Sequence, residues 1–168
     1  KFNDHDQDRA LKIVAVLSLL AVVGVVIEKL VLPDDWPLRL GYSRLLIDFF
    51  DGAGVHSPDE LPWTFWTQGK VFRRPSAYFA SPLDMAACCL LLLSATLSAY
   101  WFARERGKSG IAWLVLTVAL AATIASSLAR MAVVTMPVVV SVLALAFGKR
   151  RAAALTLCGS VLVGIVAL

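Results

Sequence analysis

An apolar run of 37 residues, Ile111 to Phe147, contains one charged side chain, Arg130. A single straight helix of that length would extend about 55 Å at its rise per residue. The hydrocarbon core of a bilayer is only about 30 Å thick. Either the run folds back near Arg130, or a guanidinium sits deep in lipid at a cost of several kcal/mol. Folding back costs less, so the run predicts two antiparallel helices with Arg130 at a membrane surface. The expected turn contains neither Gly nor Pro. Pro137 lies one to two turns later, where it would kink the second helix.

The rest of the chain supports a membrane reading. Hydrophobic residues make up 59% of the 168 positions, and the mean hydropathy is +0.76. Soluble domains are about 45–50% apolar. A net charge of +4 could point to nucleic acid, but the basic residues punctuate apolar spans, which excludes nucleic acid as a partner and fits a positive-inside topology. Five spans are expected: Leu11 to about Leu32, the stretch after Pro82 to about Phe102, Ile111 to Leu128, Met131 to Phe147, and Ala152 to Leu168. The expected fold class is therefore an all-α integral membrane protein, one helical bundle over residues 1–168. The last span lacks a closing polar flank, which predicts a piece of a longer protein. Cys88, Cys89 and Cys158 fall within spans and read as small packing residues.

Short loops set the orientation. Arg104, Arg106 and Lys108 outweigh Glu105 in one, and Lys149, Arg150 and Arg151 form another. Both are expected on the cytoplasmic side. Residues 33–81 and the Arg130 turn then fall on the opposite, external side. Within 33–81, residues 38–50 carry Leu38, Leu45, Leu46, Phe49 and Phe50, the pattern of an amphipathic helix lying in the interface. Trp36, Trp63 and Trp66 suit an interfacial aromatic belt, and the stretch WTFWTQGKVFRR reads as extended.

Three features carry chemical potential. Arg130 is either a snorkelling anchor or an anion site, because guanidinium grips phosphate bidentately and stays charged; Ser126 and Ser127 would add hydroxyl donors. Arg73 and Arg74 precede Pro75 on the same expected side, where positive-inside bias disfavours arginines without a task. Together with Arg130 they would clamp a pyrophosphate. Ser81 and Pro82 read as the cap and first turn of a helix, with Asp84 as a capping carboxylate. His56 is the one external histidine: a general base could be built on it, but a lone loop histidine more often reads as solvated, and cytoplasmic His5 is a weaker candidate still. Asp48, Asp51, Asp59 and Glu60 are scattered, and no metal or cofactor motif is present in the sequence.

Arg74-x-x-Ala77-x-Phe79-x-x-Pro82, leading into a Leu-rich span, resembles the R-x-x-G-x-F-x-x-P-N signature of the O-antigen ligase and O-antigen polymerase superfamily. In that family a basic cytoplasmic loop follows, then a span ending in S-x-S-R-G/A, another span and a basic turn. Arg104 to Lys108, Ser127-Leu128-Ala129-Arg130 and Lys149 to Arg151 keep that order. The resemblance covers roughly residues 70–168. Ala77 replaces the usual glycine, Leu83 the frequent asparagine, and Met131 a small residue.

The resemblance implies a GT-C-like membrane glycosyltransferase of a bacterial inner membrane. Such an enzyme takes a glycan from undecaprenyl pyrophosphate at the outer face and passes it to a hydroxyl of a glycan or lipid acceptor in surface polysaccharide assembly. Arg74, Arg130, Arg73 and Ser127 become its substrate-binding residues, working without metal or other cofactor. The family's catalytic base, a histidine on a large external loop, would lie beyond Leu168. The competing expectation is a non-enzymatic membrane subunit or a segment of a transporter.

Overall fold

The computed structural model describes residues 4–33, 35–49, 57, 64–67, 70–77, 79, 81–127, 130–149, 153 and 156. Residues 4–5, 65–67, 70–73 and 130–131 are described by their backbone alone. The chain is mostly helical. Its elements are α1 (Asp4–Leu30), α2 (Trp36–Arg39), α3 (Tyr42–Phe49), β1 (Thr64–Thr67), β2 (Lys70–Arg73), α4 (Pro82–Glu105), α5 (Ile111–Ser126) and α6 (Arg130–Ala146).

α1 has 27 residues and extends about 40 Å. Ile13, Val16, Leu17, Leu19 and Leu20 on it are exposed, whereas Ser18, Ala21, Val25 and Glu28 are buried. The buried positions recur at helical spacing, and the small ones let a neighbouring backbone come close. That stripe faces α4 and α5. Asp6–Leu30 and Pro82–Glu105 are both long and apolar enough to cross a membrane. α5 and α6 have 16 and 17 residues, or about 24 and 26 Å, below the roughly 20 residues a span usually needs. Two of the five expected spans therefore reach full length among the described residues, and two are apolar but shorter. The expected fifth lies largely outside the described residues.

The fold-back near Arg130 is present. α5 ends at Ser126, two residues before the expected end at Leu128, and α6 begins at Arg130. Ala132, early in α6, is buried with Met85, Ala86, Cys89, Leu120 and Ile124. Later in α6, Ala144 packs with Leu97, Trp101 and Ala153, so α6 runs back along α4. The helical hairpin of α4 and α5 closes through Gly107, at φ +68°, with Lys108 N–H donating to Ala103 O at 2.9 Å, a Schellman-type ending. Gly148 at φ +68° and Lys149 N–H on Ala144 O at 2.7 Å end α6 the same way. Inside the hairpin, Thr117 Oγ1 donates to Thr96 Oγ1 at 3.0 Å.

The connection between α1 and α4 corrects two expectations. Residues 38–50 do not form one helix. Gly41, at φ +66°, divides the stretch into α2 and α3, because a left-handed residue ends the run of helical bonds. The division resets the phase of the apolar positions: Leu46 and Ser43 are buried, whereas Leu45 and Phe49 are exposed. Phe50 lies outside the described residues. The all-α expectation is also modified, because β1 and β2 form an antiparallel hairpin pairing Thr64 with Arg73 and Thr67 with Lys70, within the stretch that reads as extended.

Candidate functional site

Four segments converge at one end of the bundle. α4 begins there at Pro82, and α5, running antiparallel to it, ends there at Ser126, so α6 starts at the same end. The last turn of α1 arrives alongside, since Glu28 bonds to the segment just before α4. The turns at 106–110 and 147–149 occupy the opposite end.

Glu28 organises this end. It is only 3% exposed, and its Oε2 accepts the backbone N–H groups of Ser76 at 2.9 Å and Ala77 at 2.6 Å. Two successive amides converge on one oxygen, and the backbone then turns at Ala77, whose φ of +50° lies in the left-handed region. Successive N–H groups aimed at one anion from a turn make a concave nest. Here the anion is a side chain of the protein itself. Charge-assisted bonds of this kind are stronger than neutral ones, which offsets the backbone strain of a non-glycine residue at positive φ.

Around this clasp the site is tightly held. Pro75 and Ser76 are buried, and Arg74 is half-buried with its Nε withdrawn from solvent. Tyr42 of α3 donates its hydroxyl to Phe79 O at 3.1 Å, and its ring lies 5.5 Å from that of Trp36, tilted by 38°. Burial pushes the Tyr42 phenol above its ordinary pKa, and the nearby Glu28 charge pushes it the same way. Ala77 and Phe79 pack on the core shared by α1, α4, α5 and α6. Ser81 caps α4 as its sequence indicates: its Oγ accepts from Asp84 N at 3.1 Å and donates to Asp84 Oδ2 at 2.7 Å, with Pro82 opening the helix.

The residues singled out from sequence distribute as follows. Arg74 lies in the coil after β2, and Arg73 is the last residue of β2. Arg130 is the first residue of α6, so its backbone shares an end of the bundle with Arg74. Ser127 is fully buried, and its hydroxyl donates to Ile124 O at 2.6 Å; Ser126 donates to Thr123 O at 2.7 Å. Both protons are thus committed to carbonyls of α5 rather than turned outward. Cys89 belongs to the core. His56 and Cys158 lie outside the described residues, and among the described residues no group of three His, Cys, Asp or Glu side chains gathers as a metal site.

Sequence reasoning missed Glu28. The signal was present, since an ionisable residue inside an apolar span is a functional candidate in its own right. Adjacent Lys29 and the nearby Pro33 disguise it as one of the flanking charges that end a span. No protein-family model, curated protein or solved structure matches this chain.

Proposed function

We propose that this chain spans a bacterial inner membrane, and that the end of the bundle bearing Arg73, Arg74, Ser127 and Arg130 belongs to a glycosyltransferase acting on lipid-linked glycans, of the O-antigen ligase and polymerase type. Its donor is a glycan on undecaprenyl pyrophosphate, and its acceptor is a hydroxyl of a second glycan or lipid. The observation that carries the reading is that the Arg74 segment and the start of α6 meet at one end of the bundle, opposite the basic turns. Two apolar helices of spanning length and the outward Leu45 and Phe49 of α3 agree with a bilayer setting.

The chemistry matches those side chains. The acceptor hydroxyl attacks the anomeric carbon and gives its proton to a general base, the histidine that the resemblance implies; the bond from that carbon to the phosphate oxygen breaks, and charge accumulates on the departing pyrophosphate. Fixed guanidinium groups stabilise that charge more in the transition state than in the ground state. A planar fork holds phosphate oxygens bidentately, and a lysine ammonium does not reproduce it. Ser127 contributes by shaping the end of α5, given where its proton is bonded.

The test is glycan transfer from a lipid-linked donor by full-length protein in native-type membranes. Arg74→Lys and Arg130→Lys should each lose activity strongly at normal expression, and the alanine variants at least as much. Near wild-type transfer by both alanine variants would reduce these arginines to interfacial anchors and favour a non-enzymatic membrane subunit.

A further inference from the structure

Glu28 is the one deeply buried carboxylate among the described residues, and the transfer chemistry proposed above gives it no role. We propose that it is the positioning residue of the site: by occupying the nest at Ser76 and Ala77 it fixes where Arg74 stands relative to the start of α6. This rests on the transferase reading for its functional consequence, though not for its geometry.

The mechanical link is short. Glu28 Oε2 holds the amides of Ser76 and Ala77. Pro75, buried directly before them, has a ring that locks its own φ. Its ring also restricts the backbone of the residue before it, which is Arg74. The carboxylate therefore controls the direction in which the chain leaves β2 and presents its arginine. The second arginine is referenced to the same body. Arg130 lies two residues before Ala132, and Ala132 belongs to the core on which Ala77 and Phe79 pack. A carboxylate at the end of α1 thus sets one half of a two-arginine grip, while α6 sets the other. No direct contact between Glu28 and substrate is required.

The chemistry also fits the sign of the charges. A nest left empty would attract an anion, including the phosphates of the donor. Glu28 fills it from within and leaves the substrate to the guanidinium groups. Only a side chain of glutamate length with an acceptor oxygen does this from α1. Glutamine keeps the length and one acceptor oxygen, whereas aspartate is one methylene short and alanine has no acceptor.

The experiment uses full-length protein in nanodiscs, with Glu28→Gln, Glu28→Asp and Glu28→Ala, and two separate readouts. The first is amide hydrogen exchange over 74–79, with 111–126 as an internal reference. The second is steady-state transfer from a lipid-linked donor. Expected is exchange over 74–79 faster by about tenfold or more in the alanine and aspartate variants, the scale of one lost charge-assisted bond, with the α5 reference unchanged. Transfer should fall in parallel, in kcat more than in KM, and glutamine should restore a substantial part of both. If the alanine variant does not fold, the Gln and Asp pair decides the same question. Unchanged exchange over 74–79 would overturn the clasp. Faster exchange with unchanged kcat would overturn the positioning role and leave a purely structural bond. A wild-type protein without transfer activity would refute the transferase reading instead, with the exchange readout still deciding whether Glu28 holds the segment.

Discussion

Replacing Ala77 with glycine should stabilise this protein, although the same change in a helix destabilises. Ala77 has φ +50°, and an L-residue with a Cβ pays roughly 1–2 kcal/mol in the left-handed region. Glycine removes that cost. Against the gain stand roughly 0.4–1 kcal/mol of extra freedom in the unfolded chain and the lost burial of one methyl, about 0.8 kcal/mol if fully buried. Ala77 is only half-buried, so the methyl counts for about half of that. The result is a net stabilisation of about 0.5 kcal/mol, and the Glu28 clasp survives because glycine keeps its N–H. Ala122 supplies the control: it is exposed inside α5, one turn before its end, and glycine there should cost about 1 kcal/mol. Denaturant titration in mixed micelles reads both variants on one scale. Opposite signs are expected. An Ala77→Gly variant destabilised as much as Ala122→Gly would show that residue 77 is not left-handed.

Two further changes probe the surroundings. At Gly110 a Cβ would lie 2.7 Å from Tyr100 Cδ2 and 3.2 Å from Tyr100 O, so Gly110→Ala should displace α5 from α4 and cost about 1–3 kcal/mol; a midpoint unchanged in the same titration would contradict the close approach of these helices. Tyr42 has a raised pKa from burial and the neighbouring Glu28, so its contribution to stability is complete below the unfolded phenol value near 10 and is lost as pH rises through the higher folded value. Tyr42→Phe should therefore lose stability near neutral pH with its bond to Phe79 O, by about 1 kcal/mol. Its stability should fall less than wild type above pH about 10; identical alkaline profiles would remove Tyr42 from the cluster.

What could be read from the sequence was governed by hydropathy and by local backbone chemistry. Length against bilayer thickness located the break before Arg130, and Ser81-Pro82-Asp84 carried its own cap. Basic turns marked the end of the bundle opposite the arginines. The break at Gly41 was less legible, since an apolar pattern on both sides suggests one continuous face; only the glycine's left-handed geometry reveals two. Ser126 and Ser127 could equally face a ligand or fold back on their helix, and α5 gave their protons a nearer acceptor. The Glu28 clasp was the least accessible, because it joins residues 48 and 49 positions apart. Ala77 hides the turn as well, because its positive φ is one that sequence marks with glycine, for which it is unstrained.

The proposed site requires the Arg74 end of the bundle to face outward. Ser57 and Ser109 are both exposed and lie in the connections before and after α4. With each changed to cysteine in turn, a charged, membrane-impermeant thiol reagent added to intact cells measures their sidedness against the native protein. Ser57→Cys should label from outside, whereas Ser109→Cys, directly after the basic Arg104, Arg106 and Lys108, should label only after the membrane is opened. External labelling of position 109 with protection of position 57 would put Arg74 and Arg130 on the cytoplasmic face and contradict the proposed site.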